Sequence, residues 1–280
     1  MKTLEKIVEK LIINGSLTEQ PGLFYGKTGI AVFFFHYARH TGNDLFQDYA
    51  MYLIEMVQKQ IANTSIPRYD IGLAGIGVGF EYLLQNDFLE VDDNDFFEDF
   101  DALMCRATLH EQYPDLNMHG GLTGFGRYFI YRLNGNYKKD KELHEALTNI
   151  AGKIIHQVAE DSVPENEQPD VFRFLYDLTK LNRYTEKYSN VLHQCRKWKC
   201  INEPDTKKIF PYLSNLQRLY TCQKYFNIHL ADEITQEWKI WEETGHDSAV
   251  NPGLLYGWTS DALLHLTYLN KNNISWINLI

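Results

Sequence analysis

The sequence lacks the features that mark several specialised classes of protein. It contains no run of about 18 apolar residues, and its amino-terminal segment does not resemble a secretory signal peptide, so we expect no membrane insertion. Lysine and arginine do not cluster, and the net charge of −10 disfavours nucleic acid as a partner. Four cysteines in 280 residues are too few for a disulfide scaffold. These absences predict a protein of the reducing cytoplasm.

Strand patterns are also scarce, whereas helical periodicity runs along most of the chain. No good alternation of apolar and polar residues occurs, but residues 143–158 carry apolar side chains at helical spacing. The pattern favours an all-α fold with about twelve helices, which fall into six pairs. They are predicted at residues 2–14, 27–40, 44–63, 75–87, 94–112, 122–134, 140–160, 169–183, 186–201, 211–226, 230–244 and 254–269.

A glycine-rich phrase recurs in front of several of these helices. It occupies Gly22–Gly29, Gly72–Gly79, Gly121–Gly126 and Gly253–Gly257, and the first three copies start 50 and 49 residues apart. A period of this size indicates a repeat architecture, in which each unit packs on its neighbours. The sequence therefore predicts one domain over residues 1–280, an α/α toroid of six inner and six outer helices, or (α/α)6 barrel.

The role of the glycines remains open at this point. They allow close approach of backbones, and packing alone can explain them. Alternatively, the amino termini of the inner helices gather at one mouth of the ring, where unpaired amides would attract anions or carbonyl groups. The fourth and fifth phrases are degenerate, and Pro169 and Pro211 are predicted to lie in the first turn of a helix.

The four phrases, each leading into an apolar helix, resemble those of the lanthionine synthetase cyclase (LanC-like) family over nearly the whole chain. Members of that family add cysteine thiols to dehydrated serine and threonine residues of a precursor peptide. They use a zinc ion, held by two cysteines and a histidine, that lowers the pKa of the thiol. The resemblance implies a toroid that acts in peptide maturation.

The sequence departs from the family where zinc should bind. The starts of the fourth and fifth inner helices read Pro169–Phe172 and Pro211–Ser214, without cysteine or histidine. Cys195 lies in an apolar stripe and is predicted to be buried. We therefore predict no metal site and no cofactor. The expected function is that of a pseudoenzyme, which binds a peptide or a protein partner from a lanthionine-type maturation pathway.

Residues beside the glycine phrases are the candidates for a site at the mouth. One of them, His119, is a loose counterpart of the family's active-site histidine. The catalytic candidates are three carboxylates and this histidine: Asp70, His119, Asp170 and Asp261. The ligand-binding candidates are Tyr25, Lys27, Arg127, Tyr256 and Trp258.

Two further functions remain open alongside peptide binding. A pair of mouth carboxylates would suit a glycoside hydrolase, with aromatic rings stacked on sugars. A purely structural interaction module is the third possibility. Whether the chain is an enzyme is undecided; if it is active, we expect chemistry like that of a lanthionine-forming cyclase or of a glycoside hydrolase.

Overall fold

The computed structural model describes residues 2–61, 66–90, 97–110, 115–135, 141–206, 208–244, 251–270 and 274–280. Within these ranges the chain forms helices and no strand, which confirms the all-α prediction. The helices are α1 (Lys2–Gly15), α2 (Lys27–Thr41), α3 (Asp44–Ile61), α4 (Leu73–Gln85), α5 (Glu98–His110), α6 (Leu122–Asn134), α7 (Lys141–Ala159), α8 (Gln168–Lys180), α9 (Asn182–Cys195), α10 (Lys199–Asn202), α11 (Asn215–Phe226), α12 (Ala231–Thr244) and α13 (Trp258–Leu269), followed by a 3-10 helix (Ser275–Leu279). None of the described helices has the length and apolar character needed to cross a membrane.

Twelve of the described helices form two concentric layers. Helices α2, α4, α6, α8, α11 and α13 form the inner layer and are buried over much of their surface. Helices α1, α3, α5, α7, α9 and α12 form the outer layer and bury one apolar stripe each, as amphipathic helices do. Helix α13 packs against α2, so the ring closes. The prediction of an α/α toroid with six inner and six outer helices is confirmed.

Two predictions of helix boundaries are wrong. The helix predicted over residues 186–201 is interrupted, because α9 ends at Cys195 and α10 is a separate single turn. Pro211 does not lie in a first helical turn: α11 begins after Ser214, which exchanges hydrogen bonds with Gln217 in a capping box. Pro169, by contrast, does lie in the first turn of α8. The predicted helices 44–63, 94–112 and 140–160 extend in part beyond the described residues.

Glycine caps the amino terminus of four inner helices, at Gly26, Gly72, Gly121 and Gly257. The first three of these capping glycines are 46 and 49 residues apart. The residue that corresponds to Gly72 and Gly121 is therefore Gly26, and not Gly22 as the sequence spacing predicted. In all four, the first helical amide donates to the carbonyl seven residues earlier: Lys27 to Gln20, Leu73 to Ile66, Leu122 to Asp115 and Trp258 to Asn251, at 2.9 to 3.0 Å.

This arrangement explains the glycines by packing. The preceding loop folds back over the first turn, and a Cβ on Gly75 or Gly124 would overlap the carbonyl oxygen of Tyr69 or Met118, six residues earlier. Because the loop carbonyls already accept hydrogen bonds from the first helical amides, these amides do not form the unpaired, anion-attracting mouth that the sequence had left open.

Candidate functional site

The loops that precede the inner helices form a continuous rim, because each loop is bonded to the next. The amide of Phe24 donates to the carbonyl of Asp70 at 3.0 Å, and the amides of Tyr69 and Asp70 donate to the carbonyl of His119 at 2.9 and 3.2 Å. The amide of Leu254 donates back to the carbonyl of Phe24 at 2.7 Å. The rim is therefore held mainly by backbone groups in its first three repeats and at its closure.

Side chains complete the rim in the repeats that lack glycine. The carboxylate of Asp170 accepts hydrogen bonds from the amide of Met118 at 2.9 Å and from the hydroxyl of Tyr212 at 2.7 Å. The hydroxyl of Tyr256 lies within hydrogen-bond distance of the carbonyls of Pro211 and Leu213, at 2.5 and 2.8 Å. Asp170 thus links the fourth repeat to the third and to the fifth. Tyr256 links the sixth repeat to the fifth.

On one side of the rim, the carboxylate of Asp70 contacts Arg68, Ile71 and His119. This buried carboxylate accepts two hydrogen bonds from the guanidinium of Arg68, at 2.8 and 2.5 Å, and one from the amide of Ile71 at 2.9 Å. His119 Nδ1 lies 3.9 Å from the same carboxylate. Burial lowers the pKa of His119, against the opposing effect of Asp170 and Asp70, so the imidazole is neutral at neutral pH.

Asp170 and Tyr212 form the other side of the rim. Burial and the Asp170 charge raise the pKa of the Tyr212 hydroxyl well above its usual range, so it stays a hydrogen-bond donor. The ring of His119 packs edge to face on Tyr212, with 4.7 Å between centroids, and on Phe24 at 5.4 Å. His119 therefore lies between both carboxylates, and three of the four predicted catalytic candidates come together.

The fourth candidate, Asp261, lies apart from the rim. It shares one face of α13 with Trp258 and His265, and this face points to the outer layer: Lys10 of α1 lies over the ring of Trp258, and His265 packs on Trp241 of α12. Burial raises the pKa of Asp261 to about 7. The structure thus separates this carboxyl group from Asp70 and Asp170.

The five predicted ligand-binding residues lie in four different places. Tyr25 and Tyr256 lie on the rim and are 40% and 50% exposed. Lys27 is buried, and its ammonium group donates to the carbonyl of Thr18. Trp258 belongs to the outer face of α13 described above, and Arg127 is buried inside the ring.

The inside of the ring, called the lumen here, is filled by residues 274–280. The guanidinium of Arg127 donates to the carbonyl of Asn278, and that of Arg173 donates to the carbonyl of Ile280. Arg173 also lies 3.2 Å from the hydroxyl of Tyr212, so it contacts both the rim and the lumen. Sequence analysis missed this segment and also Arg68 and Arg173. An arginine on the apolar face of α8 was the available signal for Arg173.

The comparison with solved structures identifies the architecture. Nisin cyclase superposes on this chain with a TM-score of 0.58, covering 100% of this chain and 97% of the cyclase, at 11% sequence identity. The chain has the LanC-like fold. At this identity the similarity establishes the fold alone. No protein-family model and no curated protein matches the sequence.

The positions that hold zinc in LanC-like proteins do not fit that metal here. Asp170 already accepts two hydrogen bonds from the protein, and Tyr212 remains protonated. The thiols of Cys195 and Cys222 are buried, as predicted for Cys195, and burial raises both pKa values to about 12. Among the described residues, no three histidine, cysteine, aspartate or glutamate side chains are arranged for a metal ion. The absence of a cofactor stays a prediction.

Proposed function

We propose that this chain is a zinc-independent, cytoplasmic LanC-like protein that binds a peptide at the rim, as part of a peptide-maturation pathway. The observation that carries the proposal is the set of groups at the rim. Arg68 and the neutral His119 offer a donor and an acceptor for peptide backbone, and the exposed rings of Tyr25 and Tyr256 offer surfaces for side chains. The shared fold with nisin cyclase supports a peptide as the ligand.

Binding without cyclisation follows from the charges at the rim. A cysteine thiol becomes a good nucleophile when a metal or an uncompensated positive charge lowers its pKa. The guanidinium of Arg68 is neutralised by its two hydrogen bonds to Asp70. The rim therefore offers an incoming thiol little assistance in losing its proton.

We do not propose hydrolysis of a carbohydrate. A glycosidase of this kind needs a carboxylic acid with a raised pKa that faces a second carboxylate across the sugar. Asp261 has a raised pKa but lies on the outer face of α13, whereas Asp70 and Asp170 are held by hydrogen bonds from the protein. These bonds are typical of structural carboxylates.

The proposal can be tested with short fluorescein-labelled peptides that contain cysteine and dehydroalanine, by fluorescence anisotropy on the full chain. We expect Tyr25→Ala and Arg68→Gln each to weaken binding about tenfold, which corresponds to about 1.4 kcal/mol. Tyr52→Ala is the matched control, because Tyr52 is 48% exposed on the outer helix α3, and it should bind as the wild type does.

Three results would contradict the proposal. Equal losses in Tyr25→Ala and Tyr52→Ala, or no binding to any of the peptides, would remove the rim as the binding site. Lanthionine formation that is faster with metal-free protein than in the same buffer without protein would show catalysis, and the pseudoenzyme assignment would then be wrong.

A further inference from the structure

Residues 274–280 are held in the lumen through their backbone. The carbonyl of Asn278 accepts hydrogen bonds from Arg127 and, at 2.9 Å, from the hydroxyl of Tyr131. The carbonyl of Leu279 accepts one from the hydroxyl of Tyr69 at 2.7 Å. Together with the bond from Arg173 to the main-chain oxygen of Ile280, three consecutive main-chain oxygens accept hydrogen bonds from four side chains. Recognition of carbonyl groups does not depend on which side chains the bound segment carries.

Specific pockets receive some of the side chains of the segment. Trp276 is buried, and its indole nitrogen donates to the hydroxyl of Thr267 at 2.9 Å. Leu279 and Ile280 are completely buried. The amide oxygen of Asn278 accepts a hydrogen bond from Lys224 at 2.6 Å. Backbone recognition combined with side-chain pockets is how proteins bind extended peptides.

The segment leaves some buried hydrogen-bond donors of the lumen unpaired and some of its space unfilled. The Nε atoms of Arg127 and Arg173 are buried and have no hydrogen-bond acceptor among the described residues. A cavity of about 370 Å³ lies at the end of the ring away from the rim, where Ser275 and Asn278 form part of its wall. Buried hydrogen-bond donors in protein cores nearly always have an acceptor. The two unpaired Nε donors and, separately, the cavity show that the segment neither pairs every buried donor of the lumen nor fills the inside of the ring.

We propose that the lumen is a peptide-binding site and that residues 274–280 are its intramolecular ligand, exchangeable for a peptide with apolar side chains at the positions of Trp276, Leu279 and Ile280. This goes beyond the rim proposal and does not depend on it, because no rim ligand is needed. A tethered ligand competes at an effective concentration on the order of millimolar, so the unmodified protein should bind such a peptide poorly from solution.

The test uses a labelled peptide of the sequence Ile-Ser-Trp-Ile-Asn-Leu-Ile and full-length variants. Trp276→Ala weakens the tethered segment but leaves the lumen intact, and we expect it to bind the peptide at least tenfold more tightly than the wild type. Adding Arg173→Gln should reverse that gain. Trp241→Ala is the control, since it removes another indole from the outer helix α12, and a scrambled peptide should not bind.

Two results would show that the peptide does not replace residues 274–280 in the lumen. If Trp276→Ala keeps the circular dichroism and thermal transition of the wild type but binds the peptide no more tightly, the segment is a fixed part of the core and the proposal is wrong. Hydrogen exchange on the wild type gives a second test that needs no variant. Amides of residues 276–280 should exchange at least tenfold faster than those of α6, and equal protection would overturn the proposal.

Discussion

Replacing Gly75 by alanine should destabilise the ring, although alanine is the better helix former. Gly75 is the third residue of α4, and an added Cβ would lie 2.9 Å from the carbonyl carbon of Tyr69 and 3.0 Å from the Cβ of Leu23, while overlapping the Tyr69 oxygen. Tyr69 cannot move away freely, because its amide is bonded to His119 and its hydroxyl to Leu279.

The size of the effect follows from two opposing terms. Overpacking of this kind costs about 1–3 kcal/mol, and displacing Tyr69 weakens two hydrogen bonds worth about 1 kcal/mol each. Against these costs, alanine stabilises the helix by about 1 kcal/mol relative to glycine, because its helix propensity is higher. We therefore expect a net loss of about 2–3 kcal/mol. Gly152→Ala is the control, because Gly152 lies within α7 with no atom within 4 Å of an added Cβ, and it should gain about 0.5–1 kcal/mol.

Urea denaturation followed by circular dichroism measures both variants. At about 2 °C per kcal/mol for a chain of this size, the midpoint of thermal unfolding should fall by about 5 °C in Gly75→Ala and rise slightly in Gly152→Ala. If Gly75→Ala proves as stable as Gly152→Ala, the loop does not pack over the first turn of α4 as described. The packing explanation of the glycine phrases would then be refuted.

Three further predictions concern buried ionisable groups. Arg132→Met should cost about 3–5 kcal/mol in urea denaturation, because it leaves the buried carboxylate of Glu81 without the guanidinium 2.8 Å away; a loss below about 1 kcal/mol would contradict this. Burial raises the pKa of Asp261 to about 7, so its contribution to stability should be lost as pH rises from about 4 to 7, and the stability of the wild type relative to Asp261→Asn should fall over that range in thermal unfolding. Burial lowers the pKa of His36 to about 4, so its imidazole NMR signals should not titrate above pH 5, and the stability it provides should be lost as pH falls from 6.5 towards 4.

The repeat and the number of helices could be predicted from the sequence because each depends on local pattern. Apolar spacing gives the helices, and glycine marks where a loop must pass close to a helix start. The direction of a side chain was harder to predict. Asp170 is the third residue of α8 and Asp261 the fourth of α13, and one residue rotates the side chain by about 100°, from the rim to the outer layer.

Two parts of the site depend on the path of the chain and were not predictable from local pattern. The helix amides at Lys27 and Leu73 are capped by carbonyls seven residues earlier, which requires knowing how each loop folds back. The segment from Ile274 to Ile280 is too short to be assigned to an element from sequence. Its position in the lumen follows from contacts with residues such as Arg127, which lies more than a hundred positions away.

Closing the ring changes how the repeats share stability. A linear array of repeats leaves one face uncovered at each end, and such arrays need special terminal units and tend to fray from those ends. Here α13 covers α1 and α2, and Leu254 is bonded to Phe24, so the sixth repeat takes the place of a terminal unit for the first. Opening any single interface would uncover two apolar faces at once. The toroid is therefore expected to unfold as one unit instead of peeling from either end.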